Sequence, residues 1–164
     1  MGYNVAKKLS DNRLAVDAAL RWKNGRPMVP EDFENLKKYS GFGGIKVILY
    51  PYGPVEEGQE NGAARGDLNL HAAIIQFHDL LKSYYSERDY KEIIASLRNS
   101  VLTAFYTPQI VPQTLYKVLS QQGIQPKRLY EPSAGSGVFI SEAVKTFPQI
   151  EQITAVEKER LTGL

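Results

Sequence analysis

Between residues 128 and 157 the chain alternates in a way that few architectures satisfy. Arg128-Leu129-Tyr130-Glu131 is a short strand-like run that closes on a carboxylate. A turn follows, Pro132-Ser133-Ala134-Gly135-Ser136-Gly137, with a G-x-G spacing. Ser136 to Phe147 reads as a helix, Pro148 breaks it, and Gln152 to Glu157 is a second strand, again ending on a carboxylate. Strand, helix and strand in about 30 residues make a β-α-β unit, whose strands should run parallel with a right-handed crossover. Glycines at the first strand–helix turn permit a tight bend and let a ligand approach bare backbone. The helix N-terminus adds unpaired N–H groups. Glu157 lies 20 residues beyond Gly137, at the spacing where a carboxylate on the second strand accepts the hydroxyls of an adenosine ribose.

Two kinds of nucleoside cofactor use such a unit. A dinucleotide site wants G-x-G-x-x-G, its third glycine allowing helix and strand to pack closely. Ile140 stands at that third position, which argues against a nicotinamide cofactor. A site that places pyrophosphate at the helix also has little use for the carboxylate of Glu131. A ligand with a cationic ammonium group does use it, and S-adenosylmethionine is such a ligand.

The remainder of the chain is expected to be helical. Asn12 to Lys23 carries Ala15, Ala18, Ala19 and Trp22 at helical spacing, with Ser10 or Asp11 as N-cap. Pro30 to Tyr39 is a second helix: Pro30 suits the first position, Glu31 and Asp32 favour the positive end of the dipole, and Phe33, Leu36 and Tyr39 form a stripe. Gly41 stops it. Gly41, Gly43 and Gly44 form a turn and not a nucleotide loop, since no G-K-[ST] follows, and Ile45 to Tyr50 reads as a strand. Gly53 to Gly66, rich in glycine and glutamate, reads as a linker. Asp67 then caps a helix from about Leu68 to Tyr85, with Ile74, Phe77, His78, Leu81 and Tyr85 on its apolar side. Ser86 with Asp89 resembles a capping box and opens another helix bearing Tyr90, Ile93, Ile94 and Leu97. Thr107-Pro108 opens a helix with Val111, Leu115, Val118 and Leu119 inward and Gly123 at its end. The expected organisation is a helical region over 1–52, a linker over 53–66, and over 67–164 a helical lead-in followed by an α/β unit. Trp22, Phe33 and Phe77 are expected in the core. His78 is expected as a satisfied core histidine and His71 at the surface. Tyr84 and Tyr85 are the aromatic residues placed to stack on bases, against core packing as the plainer role.

Composition narrows the chemistry. With 164 residues there is material for one domain or slightly more. Lys and Arg number 20 against 18 Asp and Glu, a net charge of +2, too weak for a polycation but compatible with a local patch. Lys7, Lys8, Arg13, Arg21, Lys23 and Arg26 face only Asp11 and Asp17 within the first 28 residues. Such a cluster either neutralises phosphates or is a solvated helix face, the reading favoured here. There is no cysteine, which excludes disulfides, thiolate metal sites, iron–sulfur clusters and thiol nucleophiles. With two histidines a metal site is not expected. No run approaches the ~18 apolar residues of a membrane span, and MGYNVAKKLS has neither a secretory apolar stretch nor the Ser or Thr of a myristoylation signal. The expectation is a cytoplasmic protein without membrane contact.

The stretch E-P-S-A-G-S-G-V-F-I, residues 131–140, resembles the first cofactor-binding motif of class I S-adenosylmethionine-dependent methyltransferases, in particular the adenine-N6 DNA methylases. Ala104-Phe105-Tyr106-Thr107-Pro108 with Val111 resembles the F-x-T-P element that precedes it in those enzymes, and Ala155-Val156-Glu157 their second motif. Lys38-Tyr39-Ser40-Gly41-Phe42-Gly43-Gly44 resembles a Y-x-G-[WF]-G-G element of large methylase–helicase proteins of phages and bacterial conjugative elements. The resemblance implies a Rossmann-like methyltransferase sheet of which this chain holds the first β-α-β unit, and S-adenosylmethionine as cofactor. It implies that Thr107, with the backbone of Tyr106 and Pro108, contacts the methionine carboxylate and that Glu131 lies near the ammonium and orders the loop. Pro132, Ser133, Gly135 and Gly137 would line the pocket, Phe139 would pack beside it, Glu157 would bind the ribose and Lys158 would flank the adenine. The [DNS]-P-P-[YFW] tetrapeptide that orients the target amine in those enzymes is absent, so no catalytic residue is assigned. The expectation is an N-terminal, cofactor-binding fragment of a DNA methyltransferase of a modification system or mobile element, inactive alone. DNA would be the partner of the complete enzyme, and a missing C-terminal portion or a second copy would cover the open sheet. The alternative is a non-catalytic module that binds DNA or a protein partner and carries vestigial cofactor motifs.

Overall fold

The computed structural model describes residues 4–50, 69–102 and 105–164. The chain forms two compact units, one ending at Ala104 and the other spanning Phe105–Gly163. The expected linker over 53–66, the Asp67 cap and Ala104 lie outside the described residues. The division observed falls at 104/105, because the helices after the linker pack with the N-terminal ones.

The first unit is helical: α1 (Val5–Lys23), α2 (Pro30–Lys37), a 3-10 turn (Lys46–Leu49), α3 (His71–Tyr84) and α4 (Glu87–Ser100). Helix α1 starts earlier than Ser10 or Asp11, capped by the Asn4 side chain, which accepts the Lys7 amide at 2.9 Å. Its inward stripe is Leu9, Asn12, Ala15, Val16, Ala18, Ala19 and Leu20; Trp22, expected inside, is 55% exposed. Helix α2 also turns differently from its apolar pattern. Phe33 is 51% exposed, while Asp32 is buried, because its carboxylate receives the Arg21 guanidinium at 2.6 Å and the Val29 amide at 3.0 Å. A satisfied charge thus occupies the inner face. Both donors, the Val29 amide first, hold the Asp32 carboxyl below its ordinary range.

The glycine turn after α2 is structural. Asn12, fully buried, donates to the Gly41 carbonyl at 2.7 Å and accepts the Ser40 amide at 2.9 Å. Lys8 donates to the Gly43 carbonyl at 2.9 Å. The Gly44 amide donates to the Val101 carbonyl at 2.8 Å. Phe42 is thereby set against Phe77, with ring centroids 4.9 Å apart. Ile45 to Tyr50 does not form a strand. No strand neighbours it among the described residues, and Val47 and Ile48 are buried from a 3-10 turn instead. The Ile48 carbonyl is taken by His78. Helices α3 and α4 follow their sequence pattern: Ile74, Phe77, His78 and Leu81 are buried on one and Ile93 and Leu97 on the other. Ser86 caps α4 by accepting the Asp89 amide at 3.2 Å.

The second unit is α5 (Ile110–Gln121), β1 (Arg128–Glu131), α6 (Val138–Thr146) and β2 (Gln152–Ala155). It mixes helix with a small sheet, and β1 and β2 pair in parallel, Arg128 opposite Gln152 and Glu131 opposite Ala155. β2 is shorter than expected, ending before Glu157. A small core of Tyr116, Ala143 and Phe147 lies between α5 and α6, with Leu119, Phe139, Leu129 and Ile150 packed on it. Helix α5 is rotated from its expected orientation. Pro112, Tyr116 and Leu119 turn inward, while Val111, Leu115 and Val118 are each about half exposed. The tyrosine decides the rotation, since its ring meets Phe147 and Phe139 edge-on at 5.7 and 6.3 Å, contacts worth ~0.5–1.5 kcal/mol each beyond burial. Burial, followed by the Glu131 charge, pushes the Tyr116 phenol above its ordinary pKa. β2 is exposed along its length, whereas β1 alternates, with Tyr130 outward and Leu129 against the core. Among the described residues no helix is long and apolar enough to cross a membrane.

Candidate functional site

The turn joining β1 to α6 is where the chemistry concentrates. Two glycines there have left-handed backbones, Gly135 at φ +54° and Gly137 at +79°, a conformation that favours glycine. Gly137 is the N-cap of α6 and has no side chain to cap with. The first amides of the helix therefore point outward as donors.

Each strand delivers one carboxylate to this turn. Glu131, the last residue of β1, accepts the Ser133 amide at 3.0 Å through Oε1 and so orders the loop that follows it. Glu157 lies two residues beyond β2 and crosses to the loop, its Oε2 accepting the Gly135 amide at 2.7 Å. Its Oε1 accepts the Glu159 amide, also at 2.7 Å. The chain ends of β1 and β2 are tied as well, Val156 donating to the Glu131 carbonyl at 2.9 Å and Ala134 to the Val156 carbonyl at 2.8 Å. Backbone register thus sets the spacing of the carboxylates, and each carboxylate in turn fixes part of the loop. A carboxylate oxygen carries more than one acceptor direction, so Glu157 retains capacity for a further donor such as a ribose hydroxyl.

Tyr106 closes the other side. Its ring lies so near Gly135 that a Cβ on that glycine would come within 3.0 and 3.1 Å of ring carbons Cδ1 and Cε1. Its phenol is hydrogen-bonded to the Thr162 hydroxyl at 2.9 Å. At the start of α5, Gln109 donates to Glu142 of α6 at 2.7 Å and Lys145 donates to the same oxygen at 2.6 Å. Lys145 foremost, then Gln109, keeps the Glu142 carboxyl below its usual range. The Gln109 bond ties the start of α5 to α6, while Lys145 holds the same carboxylate from within α6.

The structure therefore gathers Tyr106, Glu131, Ser133, Gly135, Gly137 and Glu157 around one turn. Pro132 is exposed within it. Thr107 and Pro108 are exposed, the Pro108 carbonyl taking the Val111 amide at 3.0 Å, and Lys158 is exposed beyond Glu157. Phe139 packs down into the Tyr116 core, where it supports the turn from below. Sequence reading gave Tyr106 a backbone role only, and passed over Glu159 and Thr162. The one hint was their spacing, an acidic residue followed three positions later by a hydroxyl, in E-R-L-T.

The basic N-terminal cluster is partly spoken for. Lys7 pairs with Asp11 and Arg21 with Asp17 and Asp32, and Lys8 holds the Gly43 carbonyl. That leaves Arg13, Lys23 and Arg26 as its cations outside these bonds, which weakens the case for a phosphate-binding face.

No protein-family model, curated protein or solved structure matches the chain.

Proposed function

We propose that this chain forms the cofactor-binding part of a Rossmann-like, S-adenosylmethionine-dependent methyltransferase acting on the adenine amine of DNA, and that it does not transfer methyl by itself. The observation that carries the reading is the pair of carboxylates, Glu131 and Glu157, set by parallel register on either side of a two-glycine turn at a helix N-terminus. A dinucleotide would place pyrophosphate at that turn, beside the Glu131 carboxylate, which would repel it. A ligand that is cationic at one end and a ribose at the other is complementary to both.

In this reading Glu131 faces the ammonium, and Glu157 accepts ribose hydroxyls while keeping the Gly135 amide. Gly135 and Gly137 leave the backbone open to the ligand, and Thr107, with the backbone of Tyr106 and Pro108, borders the carboxylate end. Pro132 and Ser133 line the loop and Lys158 flanks the base. Phe139 contributes from beneath, through the core. S-adenosylmethionine supplies a methyl group on a sulfonium, an electrophile that needs no metal. The protein's task is to bind and orient it, and to keep its reacting end toward the incoming amine. The [DNS]-P-P-[YFW] tetrapeptide that would position that amine is not in the sequence, so the acceptor side of the reaction belongs to other residues.

The test is calorimetric titration of the full chain with S-adenosylhomocysteine, alongside Glu157→Ala. Binding by the wild type that weakens about tenfold or more in Glu157→Ala, the loss of one to two charge-assisted hydrogen bonds, is expected. No binding by the wild type would refute the reading, and NAD binding in its place would move the site to another cofactor class.

A further inference from the structure

The turn after β2 carries a second acidic residue beyond Glu157, and this one is buried. Glu159 is 8% exposed. Its Oε1 accepts the Leu161 amide at 3.1 Å, and its Oε2 accepts both the Thr162 amide at 2.8 Å and the Thr162 hydroxyl at 2.7 Å. A threonine hydroxyl has one proton. With that proton given to Glu159, the Thr162 oxygen must accept from the Tyr106 phenol, 2.9 Å away. Proton order along the strut is thereby fixed: Tyr106 to Thr162 to Glu159. The far end of the strut is the Tyr106 ring, in tight contact with Gly135. From the opposite direction Glu157 holds the Gly135 amide, and its other oxygen holds the Glu159 amide. Ring and carboxylate therefore clasp the same glycine, and both supports return to the single turn 157–162.

We propose that Glu159 and Thr162 are positioning residues, which seat the Tyr106 ring against Gly135 through its phenol and so hold the glycine loop in the form that admits an adenosyl ligand. The inference rests on the cofactor reading above. Its physical basis is preorganisation. A glycine loop has more conformational freedom to lose than any other, and a loop already ordered spares the ligand that cost on binding. The ring packs where no side chain of Gly135 can interfere, so one contact excludes other residues from position 135 and limits how far the loop can swing.

The experiment uses the full chain and the variants Tyr106→Phe, Thr162→Val and Thr162→Ser. Amide hydrogen exchange is read by NMR at Gly135 and at Ala143 in the α6 core, and each variant is titrated with S-adenosylhomocysteine. Tyr106→Phe and Thr162→Val are each expected to speed Gly135 exchange about two- to tenfold, the range set by one net hydrogen bond. The double variant should add little, since both changes cut the same strut. Thr162→Ser, which keeps the hydroxyl, should restore wild-type exchange. Ala143 should not change, and the dissociation constant for S-adenosylhomocysteine should rise by the same factor as the Gly135 rate. Gly135 exchange that is unchanged in Thr162→Val, or that rises only in step with Ala143, would overturn the inference while wild-type binding leaves the cofactor reading intact. Absence of binding in the wild type would instead overturn the cofactor reading itself, before any variant is compared.

Discussion

Replacing Gly135 by alanine makes two separable demands on the turn, and the structure sizes each. The backbone there has φ +54°, where a residue with a Cβ loses about 1–2 kcal/mol. The new methyl would also stand 3.0 and 3.1 Å from two carbons of the Tyr106 ring, tighter than most Cβ contacts, so the ring would have to give by a few tenths of an ångström. The ring is tethered at its phenol to Thr162 and cannot simply rotate aside, so overpacking of about 1–3 kcal/mol adds to the first cost. Gly137 supplies the control. Its φ is +79°, and no heavy atom lies within 4 Å of an added Cβ, which leaves the conformational cost alone. Gly135→Ala should therefore cost about 2–5 kcal/mol and Gly137→Ala about 1–2 kcal/mol. Urea unfolding followed at the backbone amides of α6 reads this unit by itself. In a Tyr106→Ala background the contact is gone, and Gly135→Ala should fall to the cost of Gly137→Ala. Equal costs for the two alanines in the wild type, or no relief in the Tyr106→Ala background, would refute the packing argument.

Two predictions concern the first unit. His78 is fully buried, its Nε2 within 2.6 Å of the Ile48 carbonyl and its Nδ1 within 2.7 Å of the Tyr90 hydroxyl. A carbonyl only accepts, so Nε2 donates and the neutral ring takes the tyrosine proton at Nδ1. Burial lowers the His78 pKa below the ordinary 6.5. The native state thus holds fewer protons than the unfolded chain below that value. Stability should be level above about pH 6.5 and fall as pH drops beneath it, by up to ~1.4 kcal/mol per pH unit. Thermal unfolding of wild type and His78→Gln across pH 5 to 8 checks this, and equal slopes in the two proteins would sink it. Asn12→Ala should destabilise this unit by about 1–3 kcal/mol, because the Gly41 carbonyl and Ser40 amide lose their partner. Chemical denaturation of Asn12→Ala beside Lys8→Ala, whose bond is only part-buried, should show the larger loss at Asn12.

The order of strand, glycine turn, helix and strand was legible because each step changes the local period, with a carboxylate at the end of β1 and another two residues beyond β2. So were α3 and α4, where apolar spacing and the Ser86 cap agree. Helical rotation was less legible wherever two neighbouring faces competed. In α2 the apolar stripe through Phe33 lost to Asp32, whose buried ion pair with Arg21 depends on a residue eleven positions away. In α5, Val111, Leu115 and Val118 lost to Tyr116, because the partner that chose between them, Phe147, lies on another helix. The run Ile45 to Tyr50 has strand composition, but a strand needs a neighbour and a 3-10 turn does not. At the site the two carboxylates and two glycines were readable from spacing alone. The strut from Glu159 to Tyr106 was not, since it runs through the bond between Tyr106 and Thr162, which are 56 positions apart.

The parallel register of β1 and β2 also has a kinetic consequence. Antiparallel partners can meet through a two-residue hairpin, but parallel ones must wait for their crossover. Here the crossover is α6 itself, and a pair of strands with no third neighbour among the described residues gains little until a helix packs on it. Glu131 opens the turn and holds the Ser133 amide locally, but Glu157 reaches it only after α6 has formed and docked on Tyr116. In folding time the site should be the last part of its unit to assemble, and a single cut between Thr146 and Gln152 should dismantle it while leaving each helix its own sequence.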